Sequence, residues 1–368
     1  MKRTLTIPET FVGVGYTKDR AGLPLEAVRV PVPRPAADQV LIRVAASSLN
    51  PLEYKLAELN FLGRTPPVIL GLDLSGTVVA RGSAVRGVGV GDAVVAMADL
   101  NGDGGWVAGG TGEDSYALAR EFLTVSKPQS LTFRDGAALP MCFLSAFASL
   151  YPTVRAGDAV YIPGGGGGVG HLAVQMAARS LGAGLVISSG STPQSMALAR
   201  QSGAHYVFDY KRDDIAAEIS KLTDGRGADL VFDATYNETG FVETAKTVRQ
   251  SGSWIVLGVG PGKTTRLVQT ESPVDSILAK RGAKHINVNI LRYFSEPATL
   301  DDEAKAFLKR GMTLAMEWAG QELVVPHVAR TIVSTVEAIN AGLQSLKSGS
   351  GSLGKVAVIV DRDAAIEA

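Results

Sequence analysis

Cysteine is almost missing from this 368-residue chain: Cys142 stands alone. No intramolecular disulfide can form, and no cysteine cluster is there to hold a structural zinc. Cys142 itself lies in an apolar, helix-prone stretch, where an inert buried thiol is expected. Histidine is scarce too, with four scattered residues, His171, His205, His285 and His327. None stands three or four positions from another, so no helical imidazole pair is offered to a metal. Neither sign of charge is in excess, since 36 Lys and Arg balance 36 Asp and Glu. Without a Lys/Arg cluster, no footing for nucleic acid is visible. Long apolar runs are also lacking. Pro8, Glu9 and Thr10 interrupt the stretch after Lys2 and Arg3. Neither a signal peptide nor a membrane span is expected, and a cytoplasmic setting is the expectation.

Glycine, by contrast, is plentiful, and one run of it has a context. Ala159 to Pro163 is apolar and strand-prone, Gly164 to Gly168 follow, and then Val169-Gly170 opens a helix-prone stretch beginning at His171. The run contains G-x-G-x-x-G as Gly165, Gly167 and Gly170. A strand, a glycine turn and a helix in that order fit a dinucleotide pyrophosphate. Glycines let backbone N–H groups come close, and the helix N-terminus supplies partial positive charge. A P-loop would need Gly-Lys-Ser/Thr here; His171-Leu172 follows Gly170 instead, which excludes a nucleotide hydrolase. Gly349-Ser350-Gly351 lacks the strand-to-helix setting of a hydrolase nucleophile.

The chain divides by pattern. Its first part reads as short strands with glycine turns: Val40 to Val44, Gly76 to Ala80 and Ala93 to Ala96. Asn101 to Gly112 holds six glycines and reads as a long surface loop. From about Asp135 a helix candidate (Ala137–Leu150) leads into alternating strands and helices. The strands begin at Ala159, Leu185, Tyr206, Leu230 and Trp254, which predicts a parallel, doubly wound sheet. A helix over Ser334–Leu346 and a strand over Lys355–Val360 return to the first domain.

The second strand ends Ile187-Ser188-Ser189-Gly190-Ser191-Thr192, without the acid that would hold the ribose hydroxyls of NAD. Small hydroxyl side chains leave room for a 2′-phosphate, so NADPH is favoured over NADH. Arg200 and Lys211 are the nearby cations.

Six segments in order then resemble the medium-chain dehydrogenase/reductase superfamily, and within it the zinc-free quinone oxidoreductases (zeta-crystallin-like) and enoyl reductases. They are Val40 to Val44 running into Ser48-Leu49-Asn50-Pro51-Leu52-Glu53-Tyr54-Lys55, Pro67 to Gly76, Gly89 to Val94, the glycine loop, Gly203 to Tyr210, and Gly354-Lys355-Val356. Zinc-containing relatives have Gly-His-Glu where this chain has Gly71-Leu72-Asp73, and cysteine near Ser47 or Ser48. The family's Ser-x-Glu-Lys segment is represented by Thr192-Pro193-Gln194-Ser195, without its basic residue.

The resemblance implies an α/β protein: a GroES-like β-rich catalytic domain (1–133 and 297–368), a Rossmann doubly wound parallel sheet domain (134–296), and a cleft between them. It implies NADPH, no zinc, and a homodimer or homotetramer paired through an edge strand near Ile286–Ile290. The activity implied is hydride transfer to a quinone or an activated C=C bond of an enone, enal or enoyl thioester. A silent NADPH-binding sensor and a zinc-independent alcohol dehydrogenase are the alternatives. Tyr54 is the candidate proton donor, Asn50 the candidate orienting amide, and Lys55 an auxiliary cation. The cofactor would lie on Gly165, Gly167, Gly168, Val169 and Gly170. Ser189, Ser191 and Tyr210 would surround its adenosine phosphate, and Gly258, Val259, Asn289 and Lys355 its remaining length. Tyr54, Met141, the glycine-rich stretch and Ile290 to Phe294 would wall the substrate pocket.

Overall fold

A computed structural model describes residues 7–60, 62–99, 107–258, 273–290, 300–349 and 353–361. The chain forms two compact units: 1–141 with 293–320 and 328–368, and 142–292 with 321–327. Relative to the boundaries expected from sequence, 134–141 sits with the first unit and 321–327 with the second.

The first unit begins with β1 (Thr10–Tyr16), β2 (Glu26–Pro31), β3 (Gln39–Leu49), α1 (Pro51–Leu59), β4 (Val68–Ile69), β5 (Asp73–Arg81), β6 (Ala93–Ala98), β7 (Val107–Ala108) and β8 (Tyr116–Ser126). β3 pairs antiparallel with both β5 and β8, and β6 joins β5 to β8. The four strands therefore close on one another. β3 is buried on both faces along nearly all its length, which is why only Arg43 marks its alternation. α2 (Phe133–Ala137) and α3 (Pro140–Leu150) replace the single helix expected over Ala137–Leu150. Pro140 cannot donate its backbone nitrogen inside a helix and starts the second one instead.

The second unit carries β9 (Ala159–Pro163), α4 (Gly168–Gln175, followed by a π-type turn at Met176–Ser180), β10 (Leu185–Gly190), α5 (Pro193–Gln201), β11 (Tyr206–Asp209), α6 (Ile215–Leu222), β12 (Ala228–Asp233), α7 (Glu238–Ala245), β13 (Val248–Leu257), α8 (Pro273–Lys280) and β14 (Lys284–Val288). All six strands are parallel, in the order β11-β10-β9-β12-β13-β14. Strand order reverses between β9 and β12, and such a reversal opens a crevice at the carboxyl ends of the strands. Tyr161, Ile187, Phe241, Trp254 and Val256 fill one core of this unit.

The chain then returns to the first unit with α9 (Asp302–Gly320), β15 (Val328–Val333), α10 (Val336–Lys347) and β16 (Lys355–Ile359). β16 pairs with β3 and brings Lys355 to the end of β3. The sequence reading did not anticipate α9, although Leu308, Met312, Ala315, Met316 and Ala319 give it one buried face.

The glycine-rich stretch departs most from expectation. Residues 101–106 lie outside the described set, but Val107–Ala108 forms β7 beside β4, and Gly109 to Gly112 are buried rather than exposed. Gly112 has φ +117°, and a Cβ there would stand 2.1 Å from the Val12 carbonyl oxygen. Thr111 donates its hydroxyl to the carbonyls of Leu70 (2.7 Å) and Val14 (3.0 Å). These glycines let the chain thread between neighbouring backbones, a packing role that composition alone does not distinguish from a loop.

Candidate active site

The second unit gathers backbone. β9 ends at Pro163, and Gly164 (φ +69°) turns the chain towards α4, whose N-cap is Gly167. Gly164 donates its N–H to Ser189 O (3.0 Å) and Gly165 donates to Ser188 Oγ (3.1 Å), which fastens the loop to β10. A Cβ at Gly165 would meet Ser188 Oγ at 2.1 Å, and one at Gly170 would meet Gly164 O at 2.1 Å. The first bond within α4 runs from His171 N to Gly167 O (3.0 Å). The N–H groups of Gly168, Val169 and Gly170 therefore lie in the first turn, where a helix offers no carbonyl of its own. Oriented first-turn N–H groups, two of the three on glycines, suit a pyrophosphate, so the residues present fit a dinucleotide.

The other expected cofactor residues separate into two sets. Ser191, Tyr210, Gly258 and Asn289 stand at or just beyond the carboxyl ends of β10, β11, β13 and β14, the edge that the glycine loop occupies. Tyr210 is exposed, with its N–H on Gly190 O (3.2 Å). Gly258 closes on β14, where a Cβ would stand 2.3 Å from Asn287 Oδ1. Val259 lies outside the described residues, as do 291–294 of the expected pocket wall. Ser189 does not join this set, and its expected place beside the adenosine phosphate is corrected. It is 1% exposed, and its hydroxyl is bonded to Tyr161 OH at 2.9 Å inside the sheet. Lys355 belongs to the first unit. Sequence reasoning missed Thr235, whose methyl group would be 3.2 Å from a Cβ at Gly164 and whose hydroxyl donates to buried Asp233 (2.7 Å).

His171 is fully buried. Its Nε2 accepts the His327 N–H (3.0 Å), so Nδ1 carries the hydrogen that it gives to Gly167 O (2.8 Å). This is a core histidine that ties residues 321–327 to α4, with both ring nitrogens engaged.

The first unit gathers side chains. Asn50 caps α1, and its amide is held at both ends. Nδ2 donates to Asp73 Oδ2 (2.9 Å), and Oδ1 accepts from Lys355 Nζ (2.7 Å). Lys355 also reaches Asp73 Oδ2 (3.3 Å) and Leu49 O (3.3 Å). Asp73 further accepts from Ser48 Oγ (3.3 Å) and, through Oδ1, from Met141 N (2.9 Å). Asp73 is 0% exposed and Lys355 3%, so this ion pair is buried and bonded throughout. Beneath it, Glu53 is fully buried. Its Oε2 accepts Asn50 N–H (2.8 Å), and its Oε1 accepts the N–H groups of Gly71 (2.9 Å) and Leu72 (3.1 Å). Burial and the neighbouring Asp73 charge push the Glu53 carboxyl up to about 7, while the three backbone donors pull it down.

Tyr54 is half-buried on α1, and burial together with the Glu58 carboxylate raises its hydroxyl above the ordinary range. Lys55 is half-buried on the same helix. The structure thus brings Asn50 and Lys355 together around Asp73, and leaves Tyr54 beside them in sequence but towards Glu58 and Lys347. At the positions where zinc-containing relatives carry ligands, Ser47 Oγ donates to Asp73 O (2.7 Å) and Ser48 to the Asp73 carboxylate. An ammonium already neutralises that carboxylate, and the Ser48 hydroxyl is its other side-chain company besides Asn50; this donor set does not suit zinc. Among the described residues no group of three His, Cys, Asp or Glu side chains is placed to hold a metal. No helix among them is long and apolar enough to cross a membrane.

Comparison with known proteins gives this geometry a family. The alcohol dehydrogenase GroES-like domain matches residues 36–130, and the family described as zinc-binding dehydrogenase matches 168–288. A chloroplast envelope quinone oxidoreductase homolog of Arabidopsis thaliana is 33% identical over 249 residues, covering 64% of this chain and 71% of that protein. An NADPH-dependent alkenal/one oxidoreductase of the same plant is 33% identical over 231 residues, covering 61% and 56%. The chain spans between 56% and 71% of the length of the first curated relatives that it matches. Among solved structures, an alcohol dehydrogenase superfamily protein from Novosphingobium aromaticivorans superposes with a TM-score of 0.77 at 27% identity, covering 95% of this chain and 99% of that one. The chain belongs to the medium-chain dehydrogenase/reductase superfamily.

Proposed function

We propose that this protein is an NADPH-dependent oxidoreductase that reduces a quinone or an activated C=C bond (enone, enal or enoyl thioester) without a metal ion. The observation that carries the reading is the glycine cradle at the reversal of strand order, joined to a β10 end that has no carboxylate to repel a 2′-phosphate. The names of the relatives support quinones, enals and enones, and one of them supports NADPH. NADPH, when bound, supplies the hydride.

The chain's own residues do the rest. The N–H groups of Gly168, Val169 and Gly170 receive the pyrophosphate, and Ser191 and Tyr210 flank the adenosine phosphate. Gly258 and Asn289 lie along the same sheet edge, and Val259 is proposed with them from the sequence. Asn50 keeps one Nδ2 hydrogen beyond the one given to Asp73, and that hydrogen orients the nicotinamide ribose or the substrate carbonyl. Lys355 holds Asn50 from the other end and so acts through it. Tyr54, kept protonated at neutral pH, donates a proton or a hydrogen bond to the reduced substrate; Lys55 assists as a nearby cation. A second copy of the chain pairs along β14, the end strand of this sheet among the described residues, in a homodimer or homotetramer, and the protein works in the cytoplasm.

The test is NADPH oxidation across a panel of quinones, enals, enones and enoyl thioesters, in the presence of EDTA. Turnover with at least one class is expected. Thermal stabilisation by NADPH with no turnover across the panel would favour a silent binder, and alcohol-dependent NADP⁺ reduction a zinc-independent alcohol dehydrogenase.

A further inference from the structure

We infer that Glu53 is a positioning residue of this reaction: its carboxylate fixes Asn50 and the Gly71–Leu72 turn, and through them the Asp73–Lys355 pair. The inference rests on the reductase reading and adds a residue that does not itself face the substrate. Three features of the fold carry it. Glu53 is 0% exposed, and all three of its acceptor contacts go to backbone N–H groups at the two places from which Asn50 and Asp73 project. One carboxylate therefore spans the start of α1 and the start of β5, which meet nowhere in sequence. The turn it grips is also held from the far side, where Gly110 N–H donates to Gly71 O (2.8 Å) and Thr111 to Leu70 O (2.7 Å). Gly71 has φ +100°, and a Cβ there would lie 2.7 Å from Thr111 N, so this turn has little space in which to relax. Asp73 on β5 is the charged group that acts directly on Glu53, and Lys355 on β16 balances it; Tyr54, Lys55 and Glu58 are the ionisable neighbours on α1 itself.

A glutamine at this position keeps the shape but not the acceptors. Its oxygen can serve Gly71 and Leu72, while its amide nitrogen meets the Asn50 N–H donor to donor. Glu53→Gln should therefore displace Asn50 while leaving the glycine loop of the other unit untouched. In NADPH oxidation assays, kcat should fall about tenfold or more, with the KM for NADPH within about threefold of wild type. Wild-type kcat should rise with pH through a step near 7 as the carboxylate forms, and Glu53→Gln should lose that step.

A thermal cycle of Glu53→Gln, Lys355→Met and the double variant gives a readout independent of turnover. Sub-additive losses in Tm are expected, because both residues hold the same Asn50. Unchanged kcat, a retained pH step, or strictly additive Tm losses would overturn the role of Glu53. Absence of wild-type turnover on every acceptor would instead remove the reductase reading, while the thermal cycle still decides whether Glu53 and Lys355 act as one unit.

Discussion

The glycine loop of the second unit and the Asn50–Asp73–Lys355 network of the first are built on opposite plans. The loop offers backbone N–H groups, and its side chains are absent because Gly165 and Gly170 have no room for a Cβ. The network offers side chains from β3, β5, α1 and β16, nearly every one already bonded to another. A site made of first-turn N–H groups is ready for a ligand as it stands. A closed network instead sets a geometry: it fixes the Asn50 amide from both ends, at the cost of burying an ion pair. In the proposed reading the loop binds and the network aims.

Substitutions that break one plan without the other sharpen this contrast. The largest effect is expected from Gly170→Val, which drives a side chain into the Gly164 carbonyl. NADPH affinity measured by calorimetry should fall by more than about a hundredfold, because the loop and the start of α4 can no longer approach. Lys355→Met leaves Asp73 charged, buried and without its cation. Stability should fall by about 3 to 5 kcal/mol, read by denaturant unfolding. NADPH affinity should change far less than stability. Tyr54→Phe tests the proton-donor proposal, with kcat expected to fall about a hundredfold while the Kd for NADPH stays level. Unchanged turnover would leave Tyr54 a packing residue.

Protonation gives a smaller effect with a definite sign. The folded protein raises the Glu53 carboxyl from 4.5 to about 7, so it binds that proton more tightly than the unfolded chain does. The corresponding stability is complete below about pH 4.5 and is lost as pH rises through 7. The Tm difference between wild type and Glu53→Gln should therefore shift against wild type by a few degrees across this window and then level off. The smallest change is expected from Ser189→Ala. It leaves the buried Tyr161 hydroxyl without its partner, at about 1 to 2 kcal/mol of stability, with no change in preference between NADPH and NADH.

The two plans also differ in how well the sequence displays them. A strand, five glycines and a helix are contiguous, so Ala159 to Gln175 announces its fold and points to the proposed use. The alternating strands and helices after it were readable for the same reason, since each unit is local. The network is assembled from Asn50, Glu53, Asp73 and Lys355, across 305 positions from Asn50 to Lys355. Only the resemblance pointed to Asn50 and Lys355, and nothing local marked Asp73 as their hub. Ser189 failed in the other direction. Its place at the end of β10 was right, but period-two alternation turns its hydroxyl inwards to Tyr161. Gly109 to Gly112 failed because glycine permits two things, a loose loop and a close approach between backbones, and composition is the same for both. Glu53 stood in the sequence only as one residue of the segment Ser48 to Lys55; that one oxygen takes the Asn50 N–H while the other grips Gly71 and Leu72 is a tertiary fact.

The most direct test of the central claim is NADPH consumption by the wild-type protein with a quinone or an enone acceptor in EDTA-treated buffer. Acceptor-dependent oxidation of NADPH, faster than that of NADH and unaffected by added Zn²⁺, is expected. Activity that disappears on chelation and returns with Zn²⁺ would contradict the account.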